Sequence, residues 1–217
     1  MLKLYHQPIS FNSRRVWITL LEKGIEFELV EVKLDGDQFK PEFLAINPFH
    51  HIPVLVDDDF NVVESLAILD YIDAKYPTPT MLPKDAKEKA IVRMVQMVTV
   101  NELGPAVMVL APKLLGLSGG DPEKTEVALQ KISTVLKFFE NLLGDRPFFG
   151  SESLTLAEVV AGTVIPWLQK GAVSFSDYPK LNAWCDRLIA RPTWKATEPT
   201  PEAIQWIKSR ITARMAN

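Results

Sequence analysis

The sequence predicts an α+β chain in which a small β-α-β-α-β-β-α domain, residues 1–77, is followed by a linker, residues 78–85, and an all-helical domain, residues 86–217. Three observations predict it. The chain opens with two short apolar runs on either side of a helix-period segment, which is a β-α-β unit. Across residues 47–72, NPFHHIPVLVDDDFNVVESLAILDYI, the apolar period changes from two to 3.6, so two short strands run directly into a helix. After the cluster Pro77, Pro79 and Pro83 no strand period returns.

Taken in order, residues 2–5 form the first strand and residues 6–12, HQPISFN, the loop after it. Asn12 or Ser13 is expected to cap a helix reaching about Lys23, with Val16, Trp17, Leu20 and Leu21 on one face and Gly24 as its stop. Residues 27–32 give a second strand, parallel to the first by the right-handed crossover rule. Residues 36–46, polar and broken by Pro41, read as a loop with one short irregular helix. Ile52-Pro53 then opens a strand at residues 54–56, an acidic turn occupies 57–59, and a further strand occupies 60–63. A helix begins at Glu64-Ser65, its apolar side marked by Leu66, Ile68, Leu69 and Ile72.

The second domain starts with a long helical segment over residues 85–115, with a break at Gly119-Gly120. Asp121-Pro122 stand as N-cap and first helical residue of a helix ending near Gly144. Thr155 and Glu158 have the spacing of a capping box, with Leu154 and Val159 placed for its hydrophobic staple, and residues 159–168 are apolar all round, as in a buried helix. Residues 179–189 and 201–214 supply two more helices.

Composition narrows the function. A chain of 217 residues with 47% hydrophobic and 24% charged side chains is long enough to bury a substantial core. A net charge of −3 argues against nucleic acid as partner, because phosphate binding needs a basic surface. One cysteine, Cys185, leaves no disulfide framework, no C-x-x-C pair and no thiolate metal cluster. The three histidines, His6, His50 and His51, have no supporting ligand spacing, so no metal is expected. The N-terminus MLKLYHQP is too short and polar for a secretory signal and no apolar run approaches a membrane span, so a cytoplasmic protein without membrane contact is expected.

The candidate site lies in the first domain. Ser65 stands where a helix opens, and the unsatisfied N–H groups there attract carboxylates. Glu64 beside it is a carboxylate that can hold an ammonium group, so the pair suits a zwitterionic α-amino acid head. Taken alone, the same two residues read as an N-cap and a favourable first-turn charge. Pro53 adds weight to the ligand reading: a proline opening a strand donates no ladder bond and admits a cis peptide, leaving the backbone of Ile52 able to pair with an extended peptide.

The order and spacing of Pro8-Ile9-Ser10-Phe11-Asn12-Ser13-Arg14-Arg15-Val16, Asn47-Pro48-Phe49, Ile52-Pro53-Val54, Glu64-Ser65 and the box at residues 155–158 resemble the cytosolic glutathione S-transferases, most closely the serine-type theta- and phi-like classes and their bacterial relatives. The resemblance covers essentially the whole chain. It implies a thioredoxin-like first domain that binds glutathione and a helical domain that lines a pocket for an electrophile. Ser10 matches the serine that donates a hydrogen bond to the glutathione sulfur. The physics agrees: a free thiol has a pKa of about 8.5, the thiolate is the nucleophile, and lowering that pKa by roughly two units needs about 2.7 kcal/mol. One charge-assisted hydrogen bond and a helix N-terminus together are of that size. Ser13 is the rival hydroxyl, assigned to the helix cap or first turn. Arg14 can add positive potential near the sulfur, whereas Arg15 reads as a solvated helix residue.

By the same transfer Glu64 and Ser65 hold the γ-glutamyl end, the backbone of Ile52 beside Pro53 pairs with the cysteinyl unit, and Lys40 is the first candidate for the glycyl carboxylate, with Gln38, His50 and His51 behind it. His51 departs from the phi-like pattern, where a glutamine is common. Phe11 and Met108 are candidates for the electrophile pocket, although core packing or a dimer contact is the more frequent use of methionines such as Met94, Met97 and Met108. The final segment, with Trp194 and Trp206, either folds back over the cleft or closes the helical domain.

The reading reached is a detoxifying transferase joining glutathione to small hydrophobic electrophiles, without a metal and as a homodimer. Glutathione-dependent peroxide reduction and isothiocyanate addition are alternatives within the family. A non-catalytic binding or assembly module on the same fold is the alternative outside catalysis.

Overall fold

The computed structural model describes residues 1–118, 120–171 and 173–215. The elements in chain order are β1 (Leu2–His6), α1 (Phe11–Glu22), β2 (Phe27–Glu31), a 3₁₀ turn (Asp37–Phe39), α2 (Pro41–Leu44), β3 (Val54–Asp57), β4 (Phe60–Val63), α3 (Ser65–Lys75), α4 (Ala86–Val98), a π turn (Thr99–Leu103), α5 (Gly104–Leu114), α6 (Pro122–Leu143), α7 (Leu156–Ala161), α8 (Ile165–Gln169), α9 (Pro179–Ile189), α10 (Pro192–Ala196) and α11 (Pro201–Met215). They fall into two compact units, Met1–Thr80 with Pro192–Pro199, and Met81–Arg191 with Thr200–Asn217.

The first unit is built on a four-stranded mixed sheet of order β2-β1-β3-β4, the thioredoxin-like arrangement. β1 and β2 are parallel, and the remaining neighbours are antiparallel. Strand alternation separates two faces. On one, Leu4, Leu55 and Val62 lie in register and are buried, with α1 and α3 packed on each other and on the sheet. On the other, Val54 joins Val32 and Phe43 of α2, flanked by Tyr5, Ile52 and Val63. The sheet therefore fixes the start of α1 after β1 and the start of α3 after β4, the two helix N-termini of the candidate site.

One anchor of this unit comes from far along the chain. Residues 192–199, expected to belong to the helical domain, group instead with the first unit. The Arg14 guanidinium donates from Nε to Thr197 Oγ1 at 3.2 Å and from Nη2 to the Trp194 carbonyl at 3.1 Å, with Trp194 buried. A second buried cation, Lys23, pairs with Asp73 at 2.7 Å and donates to the carbonyls of Tyr76 and Pro79, tying the end of α1 to the end of α3.

The helical unit follows its caps. Asp121 accepts from the Glu123 and Lys124 amides and Pro122 opens α6, as expected. The predicted Gly119-Gly120 break falls partly on Gly119, which lies outside the described residues. Thr155 and Glu158 form the capping box. The Glu158 carboxylate is fully buried and accepts from the Phe149 amide, the Thr155 amide and hydroxyl, and the Trp184 indole N–H. Phe139, Phe149 and Trp184 stack edge to face around it.

Three expectations for this unit need correction. The buried helix at 159–168 is two helices, α7 and α8, interrupted at residues 162–164. Met94, Met97 and Met108 do not pack in the core; all three are exposed, because their positions fall on the outer faces of α4 and α5 while Val92, Val95, Val107 and Leu110 take the inner faces. The run Ala86–Leu114, continuous through the π turn, is long and apolar enough by length and composition to cross a membrane, contrary to the expectation of no such run. Within this unit it packs against α6, α7 and α8, a role for which core helices carry the same composition.

Candidate functional site

The loop from β1 to α1 is held by its own polar groups. The Ile9 amide donates to Gln7 Oε1 at 2.7 Å, the Ser10 amide to the Gln7 carbonyl at 3.0 Å, and the Gln7 amide to Ser13 Oγ at 3.3 Å. Ser10, not Asn12 or Ser13, is the N-cap of α1: its backbone is extended and its Oγ accepts from the Ser13 amide at 3.3 Å. The helix starts two or three residues earlier than expected, with Gln7 and Ser13 closing the loop from inside. Ser13 is fully buried under that loop. Ser10 is half-buried, and among the described residues its hydroxyl proton has no acceptor. No acidic side chain stands in the first turn of α1, so the positive end of the helix is not neutralised.

The start of α3 has a different construction. Glu64 is its N-cap position, with φ of 68° and no side-chain capping bond, and its side chain is exposed. A non-glycine residue in this left-handed region costs of order 1 kcal/mol or more, and such residues concentrate at ligand clamps. Ser65, the first helical residue, is buried, and its Oγ accepts from Arg15 Nη1 at 3.4 Å.

Arg15 is therefore not a solvated helix residue. It is 3% exposed, its Nε has no hydrogen-bond partner, and burial pushes its pKa down to about 10, which leaves it protonated at neutral pH. Arg14, the other guanidinium, is committed to Thr197 and Trp194.

Between these helix starts in sequence, buried Asn47 shapes the loop that leads to Pro53. Its Nδ2 donates to the His51 carbonyl at 2.7 Å and its Oδ1 accepts from the Phe49 amide at 3.0 Å. The Ile52-Pro53 peptide is cis, and the β3 ladder begins at Val54, so the backbone of Ile52 lies outside it.

Two family descriptions match this chain: "Glutathione S-transferase, N-terminal domain" over residues 4–80 and "Glutathione S-transferase, C-terminal domain" over residues 74–192. This protein belongs to the glutathione S-transferase family. A glutathione S-transferase of Hyoscyamus muticus is 33% identical over 209 residues, 91% of this chain and 98% of that protein. One from Arabidopsis thaliana is 32% identical over 208 residues, 90% of this chain and 95% of that protein. Among solved structures, a glutathione transferase of Populus trichocarpa aligns with a TM-score of 0.78 and 30% identity, covering 94% of this chain and 99% of that one.

Within this glutathione S-transferase the candidate residues are distributed unevenly. Ser65 is joined to Arg15, Ile52 packs on the cluster built around Val54 and Phe43, and Pro53 is buried. Lys40 is exposed and pairs with Asp37 at 2.7 Å, which raises its pKa. Gln38 Oε1 accepts from the Gly36 amide at 3.2 Å. His51 is exposed, with its carbonyl held by Asn47, and His50 lies against the Phe39 ring at 5.1 Å. Phe11 is the half-buried first residue of α1 in the first unit, and Met108 is an exposed residue of α5 in the second.

The roles of two residues escaped the sequence reading, Asn47 and Arg15. Asn47 had a signal, since Asn before Pro is turn chemistry and its side chain closes such loops. Arg15 had a fainter one: Val16, Trp17, Ile18, Leu20 and Leu21 are too many apolar positions for a single helix face, so α1 is covered nearly all round.

Proposed function

We propose that this protein joins the glutathione thiolate to small hydrophobic electrophiles, with Ser10 holding the thiolate, Glu64 and Ser65 the γ-glutamyl end, and the Ile52 backbone the cysteinyl unit. Family membership makes it a transferase with glutathione as co-substrate. The assignment of the thiolate to Ser10 is carried by one observation: the Ser10 oxygen is oriented by the Ser13 amide while its proton remains to be donated, and Ser13 itself is buried beneath the loop.

The chemistry follows from that geometry. An O–H donor and an uncompensated helix N-terminus act on the charged form of a thiol and lower its pKa. The sulfur then attacks the electrophile, and a leaving group departs with the bonding pair or, in an addition, the electrophile takes up the proton. Ser10 donates throughout and forms no bond to substrate. The exposed Glu64 carboxylate suits the ammonium of the γ-glutamyl unit and the buried start of α3 suits its carboxylate. Lys40, whose exposed pairing with Asp37 leaves two further N–H donors, is our candidate for the glycyl carboxylate, with Gln38 and His51 in the same loop region.

The proposal includes a cytoplasmic setting and a homodimer. The dimer is supported by the exposed apolar side chains Met94 and Met97 on α4, which a monomer would leave in water. The test is an ultraviolet titration of the thiolate of glutathione against pH with the purified protein, followed by mass detection of the thioether formed with an activated aryl halide. A bound pKa well below the free value together with thioether formation is expected. Glutathione binding without thiolate activation or product would support a non-catalytic module instead.

A further inference from the structure

The buried cations of the first unit differ in what faces them. Lys23 has the Asp73 carboxylate and two carbonyls, and Arg14 has a hydroxyl and a carbonyl. Arg15 has only Ser65 Oγ at 3.4 Å, a long bond, and its buried Nε has nothing. No carboxylate lies within ion-pair distance of it among the described residues. Removing a guanidinium from water without an anion is costly, and native structures keep such groups where something else completes them. The partner atom identifies the place to be completed: Ser65 is the first residue of the 11-residue helix α3, whose N-terminal N–H groups already favour an anion.

We propose that Arg15 supplies the charge of this anion site and positions Ser65 in it, and that the anion is the α-carboxylate of the γ-glutamyl end of glutathione. This rests on the reading of Glu64 and Ser65 given above. The exposed Glu64 carboxylate beside Ser65 disfavours a bare anion such as phosphate and favours a zwitterion, whose ammonium it can take while the carboxylate faces Ser65 and Arg15. By donating Nη1–H to Ser65 Oγ, Arg15 leaves the Ser65 proton for the ligand, and the orphaned Nε adds field at short range. The carboxylate completes in the complex the ion pair that the free protein lacks.

The experiment is calorimetric binding of glutathione and of 4-aminobutyryl-cysteinylglycine, the same tripeptide without the α-carboxylate, to the wild type and to Arg15→Met, Arg15→Lys and Ser65→Ala. The wild type is expected to prefer glutathione by roughly 10- to 100-fold, the range for a hydrogen bond to a charged group. Arg15→Met binds the two ligands nearly equally, and Arg15→Lys restores part of the preference. Because an unpaired buried charge does not stabilise the free fold, Arg15→Met does not lower the melting temperature of the ligand-free protein but shrinks the upward shift caused by glutathione. Should Arg15→Met not fold, the Arg15 Nε–H resonance of the wild type is followed instead: it moves with glutathione and not with the decarboxylated peptide. Full retention of the preference in Arg15→Met, or an Nε–H signal that ignores the carboxylate, overturns the proposal while the Ser65 site stands. Equal binding of both peptides by the wild type overturns the Ser65 reading and the proposal with it.

Discussion

Replacing Ser10 by alanine removes the cap that its oxygen accepts in the structure and the donor that we propose for the thiolate, and the two report separately. As acceptor, Ser10 Oγ caps α1 through the Ser13 amide. Loss of an N-cap costs about 1 kcal/mol, which for a chain of this length lowers the melting temperature by roughly 2–4 °C. In the proposed role as donor to the thiolate, the hydroxyl makes a charge-assisted hydrogen bond worth about 1.5–3 kcal/mol, so at 1.36 kcal/mol per pKa unit its loss raises the bound thiol by about 1–2 units. Ser10→Gly separates the effects, because glycine at a cap costs only a few tenths of a kcal/mol while the donor is still lost, as flatly as in alanine. The assay is the pH titration of thiolate absorbance at saturating glutathione, beside thermal melts of the ligand-free proteins. Both variants raise the pKa alike, and only Ser10→Ala melts clearly lower. An unchanged pKa in both variants, with glutathione still bound, refutes the reasoning and leaves Ser10 as a helix cap alone.

Ser65→Ala removes the donor proposed for the γ-glutamyl carboxylate and is expected to weaken glutathione binding by roughly 10-fold or more, with little change in the thiolate pKa; binding titration beside the absorbance titration checks both. His6 is buried against Trp17 with Nδ1 unpartnered, and burial pushes its pKa down to about 4 from its usual 6.5. The unfolded state then binds the extra proton between those values, so stability falls as pH drops from 6.5 to 4, by up to about 3 kcal/mol, and His6→Gln flattens that slope in chemical denaturation at several pH values. Glu158→Ala strands the amides of Phe149 and Thr155 and the Trp184 indole in the core, at about 1–3 kcal/mol each, and is expected to abolish folding or cost at least 3 kcal/mol in urea titrations.

Much of this protein is local chemistry and was legible in order along the chain. Asp121-Pro122 and the Thr155 to Glu158 box start helices because each satisfies its own backbone amides within four residues. The change of period between residues 47 and 72 fixed β3, β4 and α3 because strand and helix burial demand different spacings. Pro53, Glu64 and Ser65 could be singled out for the same reason: each stands at an element boundary, where unsatisfied backbone groups make residue type informative, whereas Ser10 was reached through the family resemblance.

What the sequence could not decide is whatever depends on contact between distant segments. Arg14 and Arg15 are adjacent, alike and polar, yet one is spent on Trp194 and Thr197, some 180 residues away, and the other on Ser65, 50 residues away. The cap of α1 moved to Ser10 because the buried Ser13 hydroxyl was taken by Gln7. Residues 192–199 joined the first unit because Trp194 and Thr197 found a partner in Arg14. Local chemistry along the chain sets where most of the helices and strands begin and which boundary residues can meet an anion. Only the tertiary structure decided which of two neighbouring arginines is left buried without one, because desolvation is set by everything that packs around a side chain and by nothing in its own spacing.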